Sequence, residues 1–104
     1  MREISIGKKT VAREESNPLI LEYFITVEEI KSHSGSFVCE NYGLGILKTD
    51  GTRQEYRSVT GVTCSYREIA YYASRILKNQ VTPVCLSEVL DDLIVAGTPN
   101  AAAR

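Results

Sequence analysis

The chain has no tryptophan, one histidine, one methionine and three cysteines, and each scarcity removes a class of function. With His33 as the sole imidazole, any serine or cysteine nucleophile would have to be activated by it. It stands in the turn-forming run Lys31-Ser-His-Ser-Gly-Ser36, a solvent-exposed setting that holds no base within hydrogen-bond reach of a nucleophile. No catalytic residue is therefore expected. Cys39, Cys64 and Cys85 include no C-x-x-C pair, and an odd count suits neither a disulfide framework nor a zinc site. They read as reduced core residues, and no metal is expected. A dominant charge is also missing: twelve basic and thirteen acidic residues leave a net charge of -1, so no overall field draws the chain to nucleic acid or an anionic membrane. No segment approaches the ~18 apolar residues of a membrane helix, and "MREISIGKKTV" at the start has no apolar core of a signal peptide. The expectation is a cytoplasmic protein without a membrane partner.

What is present suits one small globular domain. At 104 residues, with 43% hydrophobic and 24% charged, the chain can build a single core over residues 1–96, with 97–104 as a frayed tail. Residues 3–11 are weakly strand-like, and "EESNP" at 14–18 breaks the pattern with a turn-forming Ser-Asn-Pro. In "LILEYFITVEEI" at 19–30, Leu19, Leu21, Tyr23, Ile25 and Val27 alternate with the period of a half-buried strand, while Ile20 and Phe24 lie on its other face. "FVCENYGLGILKT" extends to Asp50-Gly51, where positive φ at both central residues would make a tight hairpin into "TRQEYRSV". The period then changes. Ser65 and Glu68 form an S-x-x-E capping box ahead of a stripe of Tyr66, Ile69, Ala70, Ala73, Ile76 and Leu77. Thr82-Pro83 starts a second helix with Leu86, Val89, Leu90, Leu93 and Ile94 inward, stopped by Gly97 and Pro99. The expected fold is α+β: a four-stranded antiparallel meander followed by an αα-hairpin on one face.

"YGLGILK" at 42–48 invites comparison with a phosphate-binding glycine loop. Such a loop needs a third glycine and a following helix whose N-terminal N–H groups meet the phosphates. Lys48 occupies the third glycine's place and Asp50-Gly51 stands where the helix would begin. The run reads as a strand whose glycines permit a bulge, a stronger twist or close approach of a covering element, and no cofactor is expected.

Three surfaces remain as candidates for interaction. Arg67, Tyr71, Arg75 and Lys78 fall opposite the apolar stripe of the first helix, either as a solubilising face or as a phosphate-binding one. Glu88, Asp91 and Asp92 cluster on the second helix, and Arg67 is the expected counter-charge if the helices are antiparallel, with a basic partner protein as the alternative. Ile20 and Phe24 make the uncovered sheet face more apolar than a wet face requires, which suggests a homodimer, a monomer with one solvated sheet face being the alternative.

"YGLGI" at 42–46 and "VTPVCLSEVLDDLI" at 81–94 resemble a family of small proteins from clostridia-type bacteria known only as a domain of unknown function. The likeness runs from about Tyr23 to Ile94 and is most specific at Val81-Thr82-Pro83, Leu86, Glu88, Val89, Asp91 and Asp92. The family has one glycine after the tyrosine, matching Gly43, so Gly45 is a departure. The resemblance implies no activity. Taken together, the residues point to a non-catalytic protein-interaction or regulatory module with an unidentified protein partner, the alternative being a nucleic-acid accessory protein using the basic helix face.

Overall fold

The computed structural model describes residues 1–97, so the expected frayed tail from residue 98 onward lies outside the described residues. Four strands, β1 (Arg2–Val11), β2 (Leu19–Lys31), β3 (Phe37–Asp50) and β4 (Arg53–Thr63), pair in chain order as an antiparallel meander. Two helices follow, α1 (Tyr66–Lys78) and α2 (Leu86–Ala96), and both contact the sheet. This is the architecture the period change at residue 65 implies.

The alternation in β2 sorts its side chains cleanly. Leu21, Tyr23, Ile25 and Val27 pack with Leu44 and Ile46 of β3, Ile69, Tyr72, Ala73 and Ile76 of α1, and Leu86 and Leu90 of α2 into one buried core. Truncating such a leucine or isoleucine to alanine costs about 2–5 kcal/mol, so this cluster carries the stability of the domain. Within it the Tyr23 hydroxyl donates to the Val81 carbonyl at 2.8 Å, tying the central strand to the segment between the helices. That bond satisfies two polar groups that would otherwise be buried unpaired.

Several boundaries shift from the sequence expectation, each for a local reason. At the β3–β4 hairpin Asp50 pairs with Arg53, leaving Gly51-Thr52 as the two-residue loop. Gly51 has φ of 63°, and Thr52 is not among the residues with positive φ. Glycine first and an ordinary residue second is the pattern of a type II′ turn, one residue on from an Asp-Gly centre. A 3-10 turn over Pro83–Cys85 precedes α2, and Thr82 caps by its extended backbone without a side-chain hydrogen bond. Gly97, at φ of 76°, ends α2 as expected, its N–H donating to the Leu93 carbonyl.

The α1 cap keeps half of the expected box. Ser65 Oγ accepts from the Glu68 N–H at 3.2 Å, while the Ser65 N–H donates to Thr63 Oγ1 at 3.0 Å instead of to the Glu68 side chain. Ser65→Ala should lower stability by about 1 kcal/mol in urea denaturation, the usual effect of losing a serine cap, and Ser65→Asp should keep most of it.

Candidate functional site

The two helices lie on the face that carries Tyr23 and Ile46, so the opposite face of the sheet bears no helix among the described residues. Strand register sets its composition. Phe24 is opposite Ser5 and Gly45, Glu22 is opposite Lys8 and Leu47, and Leu47 is opposite Tyr56. Ile20 is 38% exposed, Tyr56 is 44% exposed, and Phe24 and Leu47 are half-buried. These four residues form an apolar strip across β2, β3 and β4, and Lys8 and Glu22 stand beside it.

Tyr56 gives the face its shape. Its ring meets Phe24 edge-on at 6.3 Å between centroids, and its hydroxyl donates to Glu3 on the far edge strand. To do so it crosses β3 above Gly45, where a Cβ would stand 2.5 Å from the Tyr56 oxygen. Glu3 is paired with Thr26, which is buried on this otherwise open face. Burial against the sheet, followed by the hydrogen bond to Glu3, pushes the Tyr56 hydroxyl up to about 12.

Gly43 answers a different demand. Between Tyr42 and Leu44 the pairing jumps from Thr63 to Val59, a bulge in β4 that includes Gly61 at φ of 66°. The bulged backbone lies over Gly43: a Cβ there would run into the Val59 carbonyl and come within 2.7 Å of Thr60 Cα. So "YGLGILK" is a strand interior, with one glycine beneath a backbone bulge and the other beneath a tyrosine. Tyr56 and Leu47 escaped the sequence analysis, although a two-residue turn after Asp50 would have set them opposite each other.

Past Val27 and Tyr42 the two central strands continue without β1 or β4 alongside, forming a hairpin arm closed by Ser32 to Ser36. At its turn the Gly35 N–H donates to the Ser32 carbonyl at 2.9 Å. His33 sits at this exposed tip. The arm presents Ile30, Phe37 and Val38, the last two 58% exposed.

The remaining candidates fare unevenly. Of the four α1 candidates only Arg67 and Lys78 are exposed; Tyr71 packs against the core and edge-on to Tyr72, and Arg75 is partly buried with an Nε that lacks a hydrogen-bond partner. The expected basic stripe is thus reduced to two cations about 16 Å apart along the helix. Tyr72, outside the expected stripe, is one of its most buried residues, whereas Tyr66 and Ile94, placed inward from the sequence, are 54% and 45% exposed. Glu88, Asp91 and Asp92 are exposed, and among the described residues no ion pair joins them to Arg67. With no cation among the described residues paired to them, Asp91→Asn combined with Asp92→Asn should leave stability unchanged or raise it by about 0.2–0.5 kcal/mol through relief of like-charge repulsion, measured by thermal melting at low salt.

The cysteines also differ from expectation. Cys39 is half-buried, Cys64 and Cys85 are exposed, and none belongs to the core because each lies at or beyond the end of a core-forming element. A broad polar depression between the β1–β2 and β3–β4 turns is lined by Arg13, Asn17, Asp50 and Arg53. Arg13 is already engaged there, donating to Asp50 at 2.7 Å and to the Asn17 carbonyl at 2.7 Å, and it holds the Asp50 carboxyl below the usual carboxylate range. Among the described residues no three His, Cys, Asp or Glu side chains gather in a metal-holding arrangement, and no helix is long and apolar enough to cross a membrane.

The family model described as "Family of unknown function (DUF6514)" matches residues 2–96. The chain belongs to this family. The match takes in every strand and both helices, from the β1 edge that supplies Glu3 to the last turn of α2. No curated protein and no solved structure matches the chain.

Proposed function

We propose that this member of the family is a non-catalytic protein-interaction module that binds through the uncovered face of its sheet, with a second copy of the chain as the occupant. The apolar strip of Ile20, Phe24, Leu47 and Tyr56 carries this reading. It spans three adjacent strands, it is pre-ordered by the Tyr56–Glu3 strap, and rigid aromatic anchors of this kind lose little entropy on association. Lys8 and Glu22 are directly opposed beside the strip and Glu3 is already bonded to Tyr56, and closed twofold assembly is the commonest form of homo-oligomer. A regulatory role would follow from competition between this pairing and another protein for the same face. A nucleic-acid role for α1 has less support, since Tyr71 and Arg75 are drawn toward the core and only Arg67 and Lys78 remain free to meet phosphates.

Amide chemical shifts followed over a dilution series test the location of the contact. Concentration-dependent shifts confined to residues 20–26, 45–49 and 54–58 are expected. Shifts confined to α1 and α2, or none at all, would contradict the reading.

A further inference from the structure

Cys39 and Cys64 are 25 residues apart in sequence, yet their sulfurs lie 3.5 Å from each other. A disulfide needs about 2.05 Å between sulfurs, so closure requires a movement of roughly 1.5 Å, within reach of side-chain rotation. The position of the pair gives that closure a consequence. Tyr42 and Thr63 are the last partners of β3 and β4; Cys39 lies beyond them on the hairpin arm, and Cys64 lies at the junction leading into α1. No backbone pairing joins arm and junction at this point.

We propose that Cys39 and Cys64 form a reversible disulfide under peroxide, clamping the hairpin arm of residues 28–41 to the β4–α1 junction. The exposed Cys64 thiolate attacks the peroxide O–O bond, becoming a sulfenic acid and releasing hydroxide. The Cys39 sulfur then attacks the Cys64 sulfur, the S–OH bond breaks, and the departing oxygen leaves as water with the thiol proton; in sum two thiols and one hydrogen peroxide give one disulfide and two waters. The assignment of roles follows exposure, since Cys64 is the more open of the two. The hydrogen bond to Cys64, and after it burial, raises the Cys39 thiol. Cys85 is exposed and has no sulfur neighbour in the hydrogen-bonded pair, so it serves as an internal control.

Treating the reduced chain with one equivalent of hydrogen peroxide should lower the monomer mass by two hydrogens, give a Cys39–Cys64 linked peptide on digestion, and leave Cys85 open to iodoacetamide. Dithiothreitol should restore the mass. Cys39→Ser should instead accumulate a dimedone-reactive sulfenic acid on Cys64, and Cys85→Ser should close as the parent does. Hydrogen exchange of residues 28–41 should slow on oxidation and recover on reduction. Disulfides made through Cys85, over-oxidation of Cys64 without a link to Cys39, or unchanged exchange in the arm after the link has formed would each overturn the proposal.

Discussion

Gly43→Ala is expected to destabilise the domain by about 3 kcal/mol or more, on the order of 12 °C in Tm for a chain of this size. The added methyl would meet the Val59 carbonyl, Thr60 Cα and Thr26 Oγ1, and two of these three obstacles are backbone, which can move only if the β4 bulge is remade. Gly45→Ala makes the informative comparison. Its methyl meets the end of the Tyr56 side chain, which can swing away, so the cost is the ring contact with Phe24 and the hydrogen bond to Glu3, about 1 kcal/mol. Urea denaturation of both variants and of the double variant Gly45→Ala, Tyr56→Ala checks this, since removing the tyrosine should abolish most of the Gly45 penalty. Equal effects for the two glycines would contradict the assignment of backbone to one and side chain to the other.

Alkaline pH should expose the second large effect. Tyr23 is fully buried, and burial pushes its hydroxyl up to about 12, against roughly 10 in an unfolded chain. A folded value above the unfolded one means that the unfolded state loses its proton first. The associated stability is therefore fully present below pH ~10 and declines as pH rises toward ~12, with a total of about 2–3 kcal/mol for a two-unit difference. Tyr72, raised by burial and then by Glu68, adds in the same direction. Tyr23→Phe should cost about 1–3 kcal/mol at pH 7, because the Val81 carbonyl is left unpaired in the core, but its urea midpoint should fall less steeply between pH 9.5 and 11.5 than that of the parent. Parallel pH profiles would remove Tyr23 from the account.

The sheet was legible in the sequence where one physical rule dominates. The alternation of Leu21, Tyr23, Ile25 and Val27 follows from burial on one face alone, and it gave β2, its facing and the presence of an open side carrying Ile20 and Phe24. The Asp50-Gly51 turn was legible in place but off by one residue, because glycine alone supplies the positive φ and the pair can sit in two registers around it. The β4 bulge was not legible. It depends on Gly43 having no Cβ beneath Val59 and Thr60, a relation between strands that no period in either strand records. For the same reason Tyr56 passed unnoticed: its partners, Phe24, Gly45 and Glu3, lie on three other strands. On α1, periodicity fixed the helix but not the extent of its covered arc. Ile69, Ala73 and Ile76 are buried as the stripe requires, and the arc also takes in Tyr72 and part of Arg75, which narrows the basic face to Arg67 and Lys78.

The proposed pairing of two copies through the face bearing Ile20, Phe24, Leu47 and Tyr56 is read out by sedimentation equilibrium across a hundredfold range of concentration. The expected result is a mass that rises from one chain toward two, and a Phe24→Glu variant that stays at one chain while its circular dichroism and melting remain those of a folded domain. A parent chain that holds the mass of a single chain across the whole range would contradict it.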